Sequence, residues 1–297
     1  HLLKGAGGLG LDVGPIQERQ LRRYLDELLA WNQRVNLTAI TRPEDVERIN
    51  RQIMACLEGR GGAVSARARA ADLGRTYLSL NSAGRKRFLS LLANFGVDDS
   101  ELDEAAQRLL SASDKTARRA AYRRLRKSLV PPRMSLLKQF SALPNGVKFL
   151  VDMRAELRQV MGDDAQLAAL DGDLKELLSS WFDVGLLYLQ RITWSAPAAL
   201  LKKLANYEAV HAIRSWQDMK HRLDSADRRF YAFFHPNMAD EPLIFVEVAL
   251  VEGLADNVQE LLQPGDSEDH SKAVDTAIFY SISNAQRGLS GISFGEF

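Results

Sequence analysis

Leu243-Ile-Phe-Val-Glu-Val-Ala-Leu-Val251 is apolar and β-branched, and its reading decides the fold. Such a run predicts a strand. Immediately upstream, Arg229-Phe-Tyr-Ala-Phe-Phe234 is rich in aromatics, and residues 235–241 between the two, with Pro236, Asn237 and Asp240, are polar turn material. The pair therefore reads as an antiparallel hairpin. Downstream, residues 255–262 read as helix, residues 263–273 as a polar loop and Thr276-Ala-Ile-Phe-Tyr-Ser-Ile-Ser283 as a third strand. A glycine-bearing segment, Gly288 to Gly295, follows directly, and the chain stops two residues later. Three strands that feed a glycine loop with no helix after it make an incomplete α/β unit.

Before about residue 226 the pattern is different, and from about residue 15 to 180 helical periodicity dominates. Leu21, Leu25, Leu28 and Leu29 recur at three- and four-residue steps between charged residues. Tyr77, Leu80, Phe88, Leu91, Leu92 and Phe95 mark another stretch, interrupted near Asn81, with Ser82 as the expected cap and Gly96 as the expected end. Pro131-Pro132 should break the next helix, because proline lacks the amide proton that a helix interior needs. Residues 147–161 and 165–179 predict two further amphipathic helices joined through Gly162.

The chain has 297 residues, which at ~100–200 residues per domain makes two domains the first expectation. Apolar residues make up 46% and charged residues 26%, a globular composition. Lys plus Arg number 39 and Asp plus Glu 38, so the net charge of +1 excludes a protein basic throughout, as a non-specific nucleic-acid coat would be. No run of ~18 apolar residues is present, so no membrane span is expected. Cys56 is the single cysteine, which excludes an internal disulfide framework and a cysteine-rich zinc site and suits a reducing, cytoplasmic compartment. No charged-then-apolar leader follows His1, so no signal peptide is expected.

Four features bear on chemistry. Gly5-Ala-Gly-Gly-Leu-Gly10 fits the letter pattern of a dinucleotide loop, but the motif needs a strand before it and a helix after it. Four preceding residues leave no room for that strand, so flexible lead-in is the better reading. Residues 113–140 hold nine Lys or Arg against the single acid Asp114. That run is either an anion-binding face for a polyphosphate, RNA or acidic partner, or a solvated face paired with the acidic 152–176 region. The second arrangement is the commoner one on helices. His211, His221, His235 and His270 form no metal-ligand spacing. His211 lies three residues after Glu208, a spacing that suits either proton transfer or a buried structural hydrogen bond. Last, Gln286-Arg-Gly-Leu-Ser-Gly-Ile-Ser-Phe-Gly-Glu-Phe297 follows a strand, and such a loop exposes backbone amides that can cradle a pyrophosphate or form a plain turn.

Phe182-Asp-Val-Gly-Leu-Leu, Arg191-Ile-Thr-Trp-Ser-Ala-Pro197, Tyr207-Glu-Ala-Val-His211 and Trp216-Gln-Asp-Met-Lys220 occur in order, followed by Phe234-His-Pro, Glu241-Pro-Leu-Ile-Phe-Val-Glu-Val-Ala-Leu250 and Ala277-Ile-Phe-Tyr-Ser-Ile-Ser283. This series, within residues of about 51–297, resembles the malonyl-CoA decarboxylase family. The resemblance implies an α+β multidomain protein: an all-α helical bundle, through which the chains oligomerise, then an incomplete GNAT-like α/β domain, with a boundary near residue 180. It implies loss of carbon dioxide from malonyl-CoA to give acetyl-CoA, with no cofactor, no metal, no membrane and no nucleic acid as partner. The family's acyl-CoA loop corresponds to Ser290, Gly291, Ile292, Ser293, Phe294, Gly295 and Glu296. The spacing departs from the acetyltransferase Q/R-x-x-G-x-G/A pattern, and Ser293 stands where some relatives carry glutamate. The family's catalytic serine and histidine lie downstream of this loop, beyond Phe297, so no catalytic residue is assigned and the chain by itself is expected not to turn over substrate.

Leu9-Gly-Leu-Asp, Leu25-Asp-Glu-Leu-Leu-Ala-Trp-Asn-Gln-Arg-Val-Asn-Leu-Thr-Ala-Ile40 and Pro43-Glu-Asp-Val46 resemble instead the N-terminal segment of the small-subunit ribosomal RNA methyltransferases of the glucose-inhibited-division family. That family's methyl-donor loop is nowhere in the chain, which argues against methylation. The expected organisation is a helical N-terminal segment over residues 1–50, a helical oligomerisation domain over 51–180 and the first part of a catalytic domain over 181–297. The junction near 48–51 reads either as two joined coding segments or as an unusual decarboxylase N-terminus. A helical binding module without turnover, or a methyltransferase-related fusion, is the alternative function.

Overall fold

A computed structural model describes residues 43–58, 62–182, 184–208, 211–254, 257–258 and 274–292. The glycine pattern at residues 5–10, the leucine series from Leu21 to Leu29, the methyltransferase-like residues before 43 and nearly all of segments 255–262 and 263–273 lie outside the described residues. So do Ser293, Phe294, Gly295 and Glu296. The chain divides into two compact units, His1–Phe95 and Gly96–Phe297.

The first unit contributes helices α1 (Pro43–Leu57), α2 (Gly62–Ser79) and α3 (Ser82–Ala93). Ile49, Ile53, Leu73, Phe88, Leu89 and Leu92 are buried at helical spacing. Tyr77 of α2 meets Phe88 of α3 edge to face, with ring centroids 5.1 Å apart, an arrangement the ring quadrupoles favour. Asn81, not Ser82, caps α3, and its side chain accepts from the Gly84 amide at 2.9 Å. The helix ends at Ala93, ahead of the expected Gly96.

The second unit opens with five helices: α4 (Asp99–Leu110), α5 (Lys115–Ser128), α6 (Pro132–Ser141), α7 (Gly146–Val160) and α8 (Ala165–Ser179). Asp98, Asp114 and Asp164 cap three of them by accepting first-turn amides. Those amides have no partner inside the helix, so each cap is worth about 1 kcal/mol. Pro132 occupies the first turn of α6, where a missing amide proton costs nothing, so the diproline separates two helices as expected. Leu150, Val151, Met153 and Leu157 of α7 and Leu167, Leu170, Leu174, Leu177 and Leu178 of α8 are buried.

Four strands follow in sequence order: β1 (Tyr188–Ile192), β2 (Arg228–Phe234), β3 (Ile244–Val251) and β4 (Thr276–Asn284), all neighbours antiparallel. The architecture is thus α+β, and the expected hairpin and third strand are present. β1 was not expected. Four of its five residues are exposed, and backbone pairing with β2 holds it at the sheet edge. Between β1 and β2 run α9 (Ala198–Tyr207) and α10 (Trp216–Asp224). Leu201, Leu204, Met219 and Leu223 of these helices pack on Ile192, Phe230, Ala232, Phe234 and Phe245, filling one sheet face. The other face carries Tyr231, Phe233, Val246, Val248, Phe279 and Ile282 along a cleft of about 750 Å³. Phe279 is 64% and Ile282 63% exposed there.

The ladder between β3 and β4 shifts register at one point. Glu247 pairs with Ser281 and Val248 with Phe279, so Tyr280 is an extra residue opposite them. Such a bulge re-aims side chains. Ala277 and Phe279 lie on the open face before it, whereas Ser281 and Ser283 turn into the covered face after it.

Candidate functional site

The end of β4 runs into a short 3-10 turn, Arg287–Leu289, that lies against α7. Gly288 makes this approach possible: a Cβ there would sit 1.8 Å from the Val151 carbonyl oxygen, a distance no side chain tolerates. Gly291, two residues past the turn, has φ 76°, the left-handed region that glycine enters without steric cost. A cleft of about 510 Å³ opens between these residues and α7, within the usual range for small-molecule sites. Arg158 and Gln159 line one side, and Asn284, Gln286, Arg287, Ser290, Gly291 and Ile292 the other.

Arg154 sits beneath the loop and is completely buried. Its Nη1 donates to the carbonyls of Gly288 at 2.6 Å and Ser290 at 2.9 Å. Its Nε and Nη2 donate to the two oxygens of Asp171 on α8, at 2.9 and 3.3 Å. Asp171 also accepts from Arg158 at 3.4 Å. The loop's own turn bonds use the amides of Leu289, Ser290 and Ile292. Among the described residues the Gly291 amide has no acceptor. With Arg158 and Arg287 on its walls and Lys175 beside Gly291, the cleft is cationic. A backbone amide and guanidinium groups together suit a phosphate.

Of the seven loop residues expected from the sequence, Ser290, Gly291 and Ile292 line this cleft, and Ser293, Phe294, Gly295 and Glu296 lie outside the described residues. Sequence reading missed Arg154, Arg158, Gln159 and Lys175. One signal was available: Arg154 falls in the buried stripe formed by Leu150, Val151 and Leu157, where a charge needs a partner.

The other candidates resolve differently. Glu208 and His211 do not share a helix, because α9 ends at Tyr207. Glu208 accepts the backbone amide of His211 at 2.7 Å and the hydroxyls of Ser281 and Ser283, which is the structural alternative. His235 is buried against Phe182, accepts the Asn237 amide through Nδ1, and burial pushes its pKa down. Among the described residues no group of three or more His, Cys, Asp or Glu is placed to hold a metal. The basic run does not pair broadly with the 152–176 acids. Arg133 reaches Asp173 at 2.5 Å, while Asp152 and Asp171 pair with Lys148, Arg154 and Arg158. The cations of α5 face solvent, and among the described residues none of them forms an ion pair. None of the described helices is long and apolar enough to cross a membrane.

A helical region leading into a small antiparallel sheet, with a cationic cleft where the last strand returns to the helices, is divided between two family descriptions. "Malonyl-CoA decarboxylase N-terminal domain" matches residues 95–182 and "Malonyl-CoA decarboxylase C-terminal domain" residues 185–297. The mitochondrial malonyl-CoA decarboxylase of Anser anser anser is 35% identical over 244 residues, 78% of this chain and 48% of the relative. The crystal structure of malonyl-CoA decarboxylase from Rhodopseudomonas palustris matches with a TM-score of 0.74 at 37% identity, over 84% of this chain and 60% of that one. This chain belongs to the malonyl-CoA decarboxylase family. It spans about half the length of the curated relatives it matches. A separate, short match is to ribosomal RNA small subunit methyltransferase G of Anaeromyxobacter dehalogenans, 51% identical over 45 residues, 15% of this chain and 21% of the relative.

Proposed function

We propose that the chain holds malonyl-CoA for conversion to acetyl-CoA and carbon dioxide, with the coenzyme phosphates in the cleft beside Gly291. The observation that carries this reading is the Gly291 amide, which has no acceptor among the described residues and lies between Arg158 and Arg287, on the loop where the family resemblance puts the acyl-CoA contacts. In the reaction the bond between the carboxylate carbon and C2 breaks, carbon dioxide leaves, and the electron pair moves into the thioester as an enolate. A proton then adds to C2. Fixed donors at the enolate oxygen and a general acid at C2 are what the chemistry demands. The thioester is the electron sink, so neither metal nor redox group is required. In this reading the described residues bind and orient the acyl-CoA, and the proton chemistry belongs to the serine and histidine that the resemblance implies for the family.

The same reading takes the sheet as the first part of a GNAT-like domain over residues 181–297, after a helical domain over 51–180 and a separate segment over 1–50. Support for the second boundary is the change of family description between residues 182 and 185. Self-association through the helical region is supported by Leu110, Tyr122 and Leu129, exposed on the α4–α5 pair. A reducing, cytoplasmic setting suits the single buried thiol of Cys56, although relatives carry mitochondrial names.

Calorimetric titration with coenzyme A tests the cleft. Saturable binding that weakens roughly tenfold in Arg158→Ala and in Arg287→Ala is expected, as for loss of a charge-assisted phosphate contact. No binding at about 1 mM coenzyme A, weaker than −4 kcal/mol, would leave the helical binding module as the better reading. The observation favouring that alternative is the solvent-facing cationic helix α5.

A further inference from the structure

We infer that Arg154 and Asp171 are positioning residues: together they hold the carbonyls of Gly288 and Ser290 inward so that the Gly291 amide stays turned toward the cleft. What occupies the cleft rests on the acyl-CoA reading above, whereas the clamp itself does not.

The argument starts from peptide geometry. Among the described residues no peptide is cis, and in a trans peptide the carbonyl of one residue points opposite to the amide of the next. Drawing the Ser290 oxygen toward Arg154 therefore sends the Gly291 amide the other way, away from the buried guanidinium. The neighbouring amides of Ser290 and Ile292 are committed to turn bonds, whereas among the described residues the Gly291 amide has no acceptor and is left for a ligand.

A buried ion pair made for stability alone needs its donors satisfied by any acceptors within reach. Here both Nη1 bonds go to one loop, 134 and 136 residues away in sequence, which happens to line the cleft. Asp171 meets the opposite edge of the guanidinium through two oxygens, which fixes the plane of the fork. The same carboxylate reaches Arg158, whose side chain stands in the cleft wall. One acid on α8 thereby orients two arginines of α7, the first pinning the loop and the second facing the ligand. A lysine cannot replace Arg154, because a single ammonium cannot span a bidentate carboxylate and two carbonyls.

The test uses Arg154→Lys and Asp171→Asn in the full chain, with three readouts: thermal unfolding, amide hydrogen exchange across residues 286–292, and coenzyme A titration. Arg154→Lys should unfold cooperatively while the amides of Ser290 and Ile292 exchange roughly tenfold faster, those of α8 and β3 staying unchanged. Coenzyme A affinity should fall roughly tenfold well below the unfolding temperature, a change that a purely structural pair would not produce. Asp171→Asn keeps one oxygen acceptor for Nε and should show the same pattern with a smaller amplitude. Where Arg154→Lys does not fold, Asp171→Asn carries the test on the same readouts. Folded variants with unchanged loop exchange and unchanged affinity would overturn the inference. Faster loop exchange in a protein that binds no coenzyme A, mutated or not, would uphold the clamp and refute the ligand reading alone.

Discussion

Two buried arginines organise the second unit, and they differ in what surrounds them. Arg154 has one carboxylate, Asp171, and two loop carbonyls, and Arg158 shares that carboxylate. Arg222 of α10 has two carboxylates, Asp218 at 3.0 Å and Glu247 at 3.2 Å, and the His211 carbonyl at 2.8 Å. A third acid, Glu208, lies in the same network, and the Tyr280 hydroxyl donates to Glu247 at 2.7 Å. Positive charge is therefore in excess around Arg154 and negative charge around Arg222. The first excess faces an open cleft, where an anion can balance it. The second is enclosed beneath the sheet, where only a proton can. Burial accordingly pushes Glu247 up to about 7, although Arg222 and the Tyr280 hydrogen bond pull it down, and Glu208 adds to the rise. Burial and the Glu247 carboxylate push the Tyr280 phenol up in turn. Enclosure, more than the ion pair itself, decides whether the charge around a buried arginine is open to an anion or only to a proton.

The largest effect expected from breaking this comparison is at Arg222. Arg222→Met removes the cation from an enclosed acidic group and should cost about 3–5 kcal/mol in urea unfolding at neutral pH. A loss under about 1 kcal/mol would mean that the acids are solvated after all. Next is the proton. Folded Glu247 keeps it up to about 7, whereas an unfolded glutamate releases it near 4.5, so the folded state binds the proton more tightly across that window. Its stabilising contribution is full below the unfolded value and lost as pH rises through the folded one, about 3 kcal/mol in all. Unfolding free energies measured from pH 4 to 8 should show this slope, and Glu247→Gln should flatten it; an unchanged slope in the variant contradicts the assignment.

On the Arg154 side, Gly288→Ala forces a methyl group into the Val151 carbonyl and should cost about 1–3 kcal/mol while shifting the loop. A neutral result there would show that α7 yields, and that the clamp does not need the close approach. Smallest of all, Arg158→Ala should change stability by less than about 1 kcal/mol, because this arginine is partly exposed. Its effect on coenzyme A binding should be the larger one, which separates the ligand-facing arginine from the structural one.

The sheet was legible where burial writes a pattern. β2 alternates buried and half-buried residues along its length, and β3 is continuously apolar around Glu247. β1 was illegible because its side chains make almost no core, so only backbone pairing defines it. The diproline and the α7 and α8 helices were readable from local chemistry, whereas Ser290–Ile292 came from the family resemblance. Arg154 was not, since its partners lie 17 and more than 130 residues away and no local spacing encodes them. The basic run was read as a solvated helix face paired with the 152–176 acids; the structure keeps α5 exposed, pairs Arg133 with Asp173 and gives two of those acids, Asp152 and Asp171, to other cations. Asn81 and Ser82 are both good caps, and the sequence alone does not choose between neighbours.

The extra residue in β4 has a consequence for parity. Up to Phe279 the odd-numbered side chains of this strand belong to the open face, and from Ser281 onward the even-numbered ones do. The bulge absorbs Tyr280 as an extra residue in the side-chain alternation, so that serines at 281 and 283 meet Glu208 while Phe279 and Ile282 stay on one surface. A chain shortened by that single residue would keep every other side chain on its present face and lose only the hydroxyl that reaches Glu247. The strand's cover for the core and its hydroxyl contact to Glu247 are separable by one codon.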